Sequence, residues 1–423
     1  MLPDTPSQPK RLKVLLCCYA CDPNHGSEQG MGWNFAYNIA KHHDVHVLVE
    51  EVKFRAPLEQ YAAEHPESVR NITFHFIPRR RWRLLRKIWP PSYYWTYRMW
   101  HRAALDKART LHAEHHFDLC HMITISGFRE PGYLWKLDTP FIWGPIGGLT
   151  DTPWCLLSCL GVYGSFFFGI RNVLNKLQKR FGHAGRMVAK HTHTILTSTT
   201  KAVEEIDAFW HRKAVLMNEV GLETRHAAHE PVAHEPNTPL RLCWAGNHIP
   251  RKALDLLLYA LVQCQCPVEL HVLSKGPRTA AWKRLAHRLG LDDKVIFHGF
   301  LPREEAFKVM SSSHVFVITS VREDTSTVVF EAFRYGLPII AMDHCGFASV
   351  INESCGIKIP IRSRRQVIAD YARHIDYLAE HEAERQTLSQ GAMARCRDFT
   401  WEAKMETLNA IYRQAAHREH PRH

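Results

Sequence analysis

The chain has 423 residues, 45% of them hydrophobic and 23% charged. That is the composition of a globular soluble protein, and it is too long for one ordinary core, so two domains of roughly 200 residues are expected. The net charge of +12 points to anionic partners: nucleotides, phospholipid or nucleic acid. Twelve cysteines are scattered through apolar stretches, which fits unpaired thiols in a reducing compartment rather than a disulfide framework. Cys18-x-x-Cys21 and Cys264-x-Cys266 have no second pair at zinc-finger spacing, and the histidines form no H-E-x-x-H, so no metal site is expected. Residues 1–10 are polar and the apolar run 14–18 is too short for a signal peptide, which gives a cytoplasmic expectation.

In the first half, short apolar strands (14–18, 45–49, 72–77, 119–123, 141–143, 194–197) alternate with helical patterns. Such alternation implies α/β architecture with parallel sheets covered on both faces. The first strand runs into a loop, then an amphipathic helix. Gly26, Ser27, Glu28, Gly30 and Gly32 in this loop would let backbone amides approach an anionic ligand beside a helix N-terminus. A dinucleotide fingerprint competes with this reading. Gly30-x-Gly32 is present and Glu50 closes the second strand as a ribose binder would, but Phe35 stands at the third glycine position.

The run 79–87 carries six positive charges in nine residues and is followed by Trp89, Tyr93, Tyr94, Trp95, Tyr97 and Trp100. Basic and aromatic residues together suit an anionic lipid interface, at about 1 kcal/mol per cation. They also suit single-stranded nucleic acid. The stretch 152–170 contains no charge and includes Trp154, Phe166, Phe167 and Phe168. It reads either as a segment dipping into a membrane interface or as a buried hydrophobic helix; membrane contact is favoured over nucleic acid because these two features agree.

Two further strands, 119–123 and 141–143, end in polar or glycine residues: His121, Thr124 and Arg129 after the first, Gly147 and Gly148 after the second. A histidine at a strand end is either a structural group or, where loops converge, a hydrogen-bond donor to a ligand. The stretch 223–239, with three prolines and no periodicity, reads as a linker between a first domain (1–222) and a second (240–400). A helical tail (401–423) follows, expected to pack back on the first domain.

After the linker the alternation restarts with strands 240–245, 268–273, 295–298, 315–318 and 339–342. The first of these ends at Gly246-Asn247, and the basic pair Arg251-Lys252 then opens a helix. Cations at a helix start can clamp a diphosphate. In the last βαβ unit, Glu323 follows one strand and Glu331 lies on the succeeding helix. Paired carboxylates at the carboxyl end of a parallel strand suit a polyhydroxylated ligand, because each accepts two hydroxyl hydrogen bonds.

Glu323 and Glu331 with seven residues between, followed by Ala332-Phe-Arg-Tyr-Gly336-Leu-Pro338, resemble the E-x7-E signature of retaining glycosyltransferases of family four, in a branch serving bacterial polysaccharide assembly. The Gly26–Trp33 segment, His121 to Arg129, and Trp143-Gly-Pro-x-Gly-Gly148 add to the resemblance. It implies the GT-B fold, two Rossmann-like domains facing across a cleft, and UDP- or GDP-sugar as donor with neither cofactor nor metal. Glu323 would hold sugar hydroxyls with His121, and Glu331 the donor ribose. Lys252 and Arg251 would neutralise the leaving diphosphate. Gly246, Asn247, Thr325, Ser326, Thr327 and Gly276 would complete the donor site; the glycines from 26 to 32, with Arg129, Gly147 and Gly148, would face acceptor and phosphates.

The chain departs from the family pattern at Asn247, where arginine is usual, at Ala253 in place of glycine, and at Asp324-Thr325-Ser326 in place of a glycine-rich filler. These departures keep open a catalytically inactive assembly partner. A nicotinamide oxidoreductase is the remaining rival. The acceptor implied is a lipid-linked or other saccharide at the inner face of a membrane.

Overall fold

The computed structural model describes residues 10–79, 92–223, 231–236, 238–325 and 327–417. The basic run 80–87, residues 224–230 and 237 of the expected linker, and Ser326 lie outside them. Two fully parallel sheets organise the chain. The first has seven strands: β1 (Lys13–Cys18), β2 (Asp44–Glu50), β3 (Ile72–Ile77), β4 (Leu119–Thr124), β5 (Phe141–Ile146), β6 (Thr194–Thr197) and β7 (Ala214–Leu216). Their spatial order is β3-β2-β1-β4-β5-β6-β7. The second has six: β8 (Leu240–Ala245), β9 (Val268–Leu273), β10 (Val295–Gly299), β11 (Val315–Ile318), β12 (Ile339–Met342) and β13 (Gly356–Ile359), in the order β10-β9-β8-β11-β12-β13. Strands β7 and β13 carry too little patterning to be read from sequence.

Strand order reverses between β1 and β4 in one sheet and between β8 and β11 in the other. A parallel sheet binds ligands in the crevice at such a switch point, beyond the carboxyl ends of its strands. Continuous apolar strands make both sheets: every residue of β4, β5, β11 and β12 is buried, as strands covered on both faces require.

The helix Trp401–His417 follows the second sheet in sequence but packs on the first. Trp401, Met405, Leu408, Tyr412 and Ala415 join the core built on β1, β2 and β4. His43 Nε2 meets Asn409 Oδ1 at 2.9 Å and His121 Nδ1 meets the Tyr412 hydroxyl at 2.6 Å.

The helix Gly161–Phe181 inverts the usual polarity. Its buried residues are Asn172, Asn175 and Lys179, at helical spacing on one face. Asn172 bonds both backbone groups of Thr152; Asn175 and Lys179 both donate to the Leu149 carbonyl and to Asp151. Its outward residues include Val162, Tyr163, Phe166, Phe167, Ile170, Val173, Leu174, Leu177 and Phe181, all exposed. The buried alternative for 152–170 holds for its first part, where Leu156, Cys159 and Leu160 join the core of the second sheet; from Val162 on it is corrected, because Val162, Tyr163, Phe166, Phe167 and Ile170 face outward. Trp154–Phe181 is 28 residues long, long and apolar enough to cross a membrane. It nonetheless connects β5 to β6, which are hydrogen-bonded neighbours in one sheet, so both its ends return to the same side.

The aromatic run after residue 88 also divides. Tyr97 and Trp100 are core residues, 1% and 2% exposed, while Tyr94 and Trp95 remain at the surface. The helix Ser92–His115 turns one face of this run inward, so only part of it is free to meet a lipid surface. All twelve cysteines are free.

Candidate functional site

Loops from both switch points surround a cavity of about 520 Å³. On the second sheet, the segment after β8 and the segment after β11 are stitched together. Val321 N donates to the Arg251 carbonyl (2.9 Å), Thr319 Oγ1 to the Lys252 carbonyl (2.6 Å), and an Arg251 guanidinium nitrogen to the Arg322 carbonyl (2.9 Å). This stitching delivers Lys252 Nζ to Glu323 Oε2 at 2.7 Å, with Arg251 3.6 Å from the other carboxylate oxygen. Gly246 makes room for the lysine, since a Cβ there would sit 3.2 Å from Lys252 Cε.

The basic pair does not open the helix directly. Pro250–Lys252 form a 3₁₀ turn, Ala253 takes a left-handed conformation (φ 45°), and the helix starts at Leu254. That backbone explains why glycine suits the position of Ala253, because a Cβ is strained there.

Thr325 lines the cavity with its hydroxyl oxygen buried and unpartnered among the described residues; a buried hydroxyl without a partner is costly unless a ligand supplies one. Thr327, exposed, opens the next helix. Glu331 is half-buried on that helix and outside the cavity lining. Burial raises its pKa, against the fields of Arg303 and Arg334. Asn247 is exposed at the turn after β8. Gly276 has a packing role: it lets 274–279 lie against the His248 backbone, whose oxygen would be 2.8 Å from a Cβ.

From the first sheet come Gly26, Ser27, Glu28, Gly30 and Ser126. The helix begins at Ser27 with Gly26 at its N-cap and no side-chain cap, so its first-turn amides face the cleft as an anion site requires. Gly30 and Gly32 therefore belong to the helix and not to a loop. A Cβ at either would strike a backbone carbonyl, His25 O at 2.3 Å or Ala20 O at 2.1 Å, so both glycines serve close packing, and Gly32 is buried beneath the site. Glu28 accepts from Ser126 N at 2.8 Å, and burial raises its pKa. The two halves meet where Asp324 approaches Gly148 N at 3.4 Å; a Cβ on Gly147 would lie 3.0 Å from the Asp324 carboxylate.

Two expected ligands are placed elsewhere. His121 is fully buried between Tyr412 and the Gly144 carbonyl (2.7 Å), so both ring nitrogens are occupied; burial depresses its pKa to about 4. It is a core residue joining β4, β5 and the C-terminal helix, and not a donor to a sugar. Arg129 bonds Gln178 and Asn175 and stacks on Phe128 at 4.5 Å, bracing the inverted helix. Glu50, weighed as a ribose binder, instead caps the following helix through Oε2, which accepts from Lys53 N at 2.8 Å; its Oε1 is buried without a partner among the described residues, and the residue lies outside the cavity lining.

Residues that sequence reading missed complete the wall. Arg171 comes from the inverted helix, Arg322 precedes Glu323, and Glu219 follows β7. Glu219 accepts from Ser198 Oγ at 3.0 Å, and burial with nearby Asp324 pushes its pKa up to about 8. Only the strand before it could have signalled Glu219, and that strand is three residues long. Among the described residues no cluster of three or more histidine, cysteine or acidic side chains is arranged to hold a metal ion.

Two Rossmann-like sheets whose switch points share one cleft define the GT-B architecture. Solved glycosyltransferases agree over nearly the whole chain. The lipopolysaccharide outer core galactosyltransferase WaaB superposes with a TM-score of 0.66 at 12% identity, covering 95% of this chain and 99% of that one. HepE of Anabaena, solved with UDP, gives 0.60 at 13% identity, covering 95% and 100%. In sequence, residues 239–380 match the family described as glycosyl transferases group 1. A D-inositol 3-phosphate glycosyltransferase of Kribbella flavida is 27% identical over 187 residues, 41% of this chain and 43% of that protein. The chain thus spans about two fifths of the length of the curated relatives it matches.

Proposed function

We propose that the chain is a retaining glycosyltransferase that moves a hexosyl group from a UDP- or GDP-sugar to a saccharide acceptor carried on lipid, in surface or exopolysaccharide assembly. The carrying observation is the Glu323 carboxylate, held by Lys252 and Arg251 at the carboxyl end of a parallel strand inside a cleft shared by both sheets. Bond cleavage between the sugar anomeric carbon and its phosphate oxygen builds negative charge on the departing diphosphate. Lys252 and Arg251 are placed to take up that charge, with the uncapped helix start at Gly26 opposite. Glu323, once its lysine turns to phosphate, accepts hydrogen bonds from sugar hydroxyls. Glu331 is assigned the donor ribose and Thr325 a donor oxygen. The acceptor hydroxyl attacks from the face the diphosphate leaves and passes its proton to the leaving phosphate oxygen, so no protein base or metal is assigned.

The outward apolar face of Gly161–Phe181 supports peripheral attachment to a bilayer, with Lys176 and Arg180 exposed on the same helix to meet anionic headgroups. The curated relatives are named for D-inositol 3-phosphate, which supports a soluble polyol phosphate as the second acceptor reading. A screen of UDP- and GDP-sugars for nucleotide release tests the proposal. Turnover of one donor sustains it, and release from none overturns it in favour of a non-catalytic assembly role.

A further inference from the structure

We propose that Arg171 and Arg322 form a phosphate subsite for the acceptor, where the cleft meets the inverted helix. The inference rests on the glycosyltransferase reading and adds the chemistry of its second substrate. The two arginines come from different halves of the molecule, one from Gly161–Phe181 and one from the segment after β11. Yet both guanidinium groups lie against the same Phe168 ring, 5.9 and 5.5 Å from its centroid, and both line the cleft.

Among the described residues neither side chain has an ion pair or hydrogen bond. The other cleft cations are engaged: Arg251 and Lys252 with Glu323. Asp324 and Asp151 are the acids whose fields reach the two arginines, but the first approaches Gly148 N and the second binds Lys179 and Asn175. Two half-buried guanidiniums with no acid in direct contact repel each other, and the fields of Asp324 and Asp151 offset this only in part; burial and Arg171 together lower the Arg322 pKa to about 10. A phosphate offers each a bidentate partner and cancels the repulsion.

The donor diphosphate already has Lys252, Arg251 and the Gly26 helix start. Arg171 is instead carried by the helix whose outer face is apolar, so a ligand phosphate held there can continue into a hydrocarbon tail along Phe167 and Leu174, exposed four residues before it and three after it on the same side of the helix. The shared chemistry is a phosphate ester, and its source is either a lipid carrier or a soluble polyol phosphate.

The test uses the full chain saturated with UDP or GDP, titrated calorimetrically with dodecyl phosphate, dodecyl maltoside and glycerol 1-phosphate. Both phosphates should bind, and Arg171→Gln or Arg322→Gln should weaken each about tenfold, the scale of one charge-assisted contact. Neither variant should melt below the wild type, since each relieves a repulsion; a purely structural arginine would lower the melting temperature. Tighter binding of dodecyl phosphate than of glycerol 1-phosphate, with no binding of the maltoside, assigns the lipid source. Equal phosphate affinities assign the soluble one. Nucleotide binding with no phosphate binding, or phosphate binding indifferent to both substitutions, overturns the subsite alone. Failure of the wild type to bind either nucleotide overturns the glycosyltransferase reading beneath it.

Discussion

The Lys252 ammonium and the Glu323 carboxylate lie 2.7 Å apart where the segments after β8 and β11 meet. Each holds the other's charge in place, and both side chains are largely buried, 9% and 12% exposed. On the function proposed above, a bound diphosphate would compete for the lysine and release the carboxylate to the sugar, coupling donor binding to sugar recognition.

Lys252→Ala should therefore cost about 2–4 kcal/mol of transition-state stabilisation, the scale for one preorganised charge. Arg251→Ala should cost less, because its contact with Glu323 is longer, 3.6 Å. Turnover of the best nucleotide sugar measures both. Negligible losses for the two would place the clamp elsewhere.

Glu331→Gln should lower nucleotide affinity without loss of fold. Burial raises the Glu331 pKa in the folded state, so the folded protein binds this proton more tightly than the unfolded chain does. Stability then falls as pH rises from the unfolded carboxylate value through the folded one. The glutamine variant escapes that fall and should melt higher than wild type at pH 8, with the gain vanishing near pH 4. Calorimetry of UDP or GDP binding beside melting curves checks both halves, and unchanged nucleotide affinity removes Glu331 from the donor site.

Lys404 sits beneath the cleft and donates to the Asn218 and Val220 carbonyls, one on each side of Glu219, the second at 2.7 Å. Burial lowers its pKa to about 7. A lysine depressed in the folded state destabilises the fold as pH falls from its unfolded value towards 7. Glu219, raised to about 8, acts in the opposite direction: its burden grows as pH rises from the ordinary carboxylate value to 8. Glu219→Gln should consequently flatten the decline of stability between pH 5 and 8, read as urea midpoints. Lys404→Ala strands two buried carbonyls, at about 1–3 kcal/mol for each group left unsatisfied, and should also reduce turnover by loosening the Glu219 segment. Full activity with lost stability would confine Lys404 to the core.

The outer face of Gly161–Phe181 gives a separate test. Phe166→Ser, Val173→Ser and Leu177→Ser together should abolish co-sedimentation with vesicles containing anionic lipid, and should not lower the melting temperature, because these side chains are exposed. High salt should remove only the electrostatic share, as the Debye length contracts to about 3 Å at 1 M. Vesicle binding that survives the triple substitution would locate the anchor elsewhere.

Much of the architecture is legible because parallel strands are continuous apolar runs and helices between them are periodic. Glu323 and the basic pair were legible too, since an acid after a strand and cations after a glycine turn are local patterns. What escaped is non-local. His121 reads as a loop-end ligand until Tyr412, 291 residues away, is seen to fill its ring nitrogen. Asn172, Asn175 and Lys179 look like the wet side of a helix, because polarity in sequence does not say which face a protein will cover. Arg171 and Arg322 come together only through Phe168, in a segment whose composition speaks of lipid and not of phosphate.

Helix Trp401–His417 also sets a timetable. Trp401, Leu408 and Tyr412 complete the core of a sheet whose first strand begins at Lys13. During synthesis, the first-sheet half emerges early and waits with an open apolar groove while the whole second sheet is made. That groove closes only once Trp401–His417 has followed the second sheet out of the ribosome. A chain stopped just before Trp401 would keep the second sheet whole, yet would leave the first-sheet half unable to finish folding.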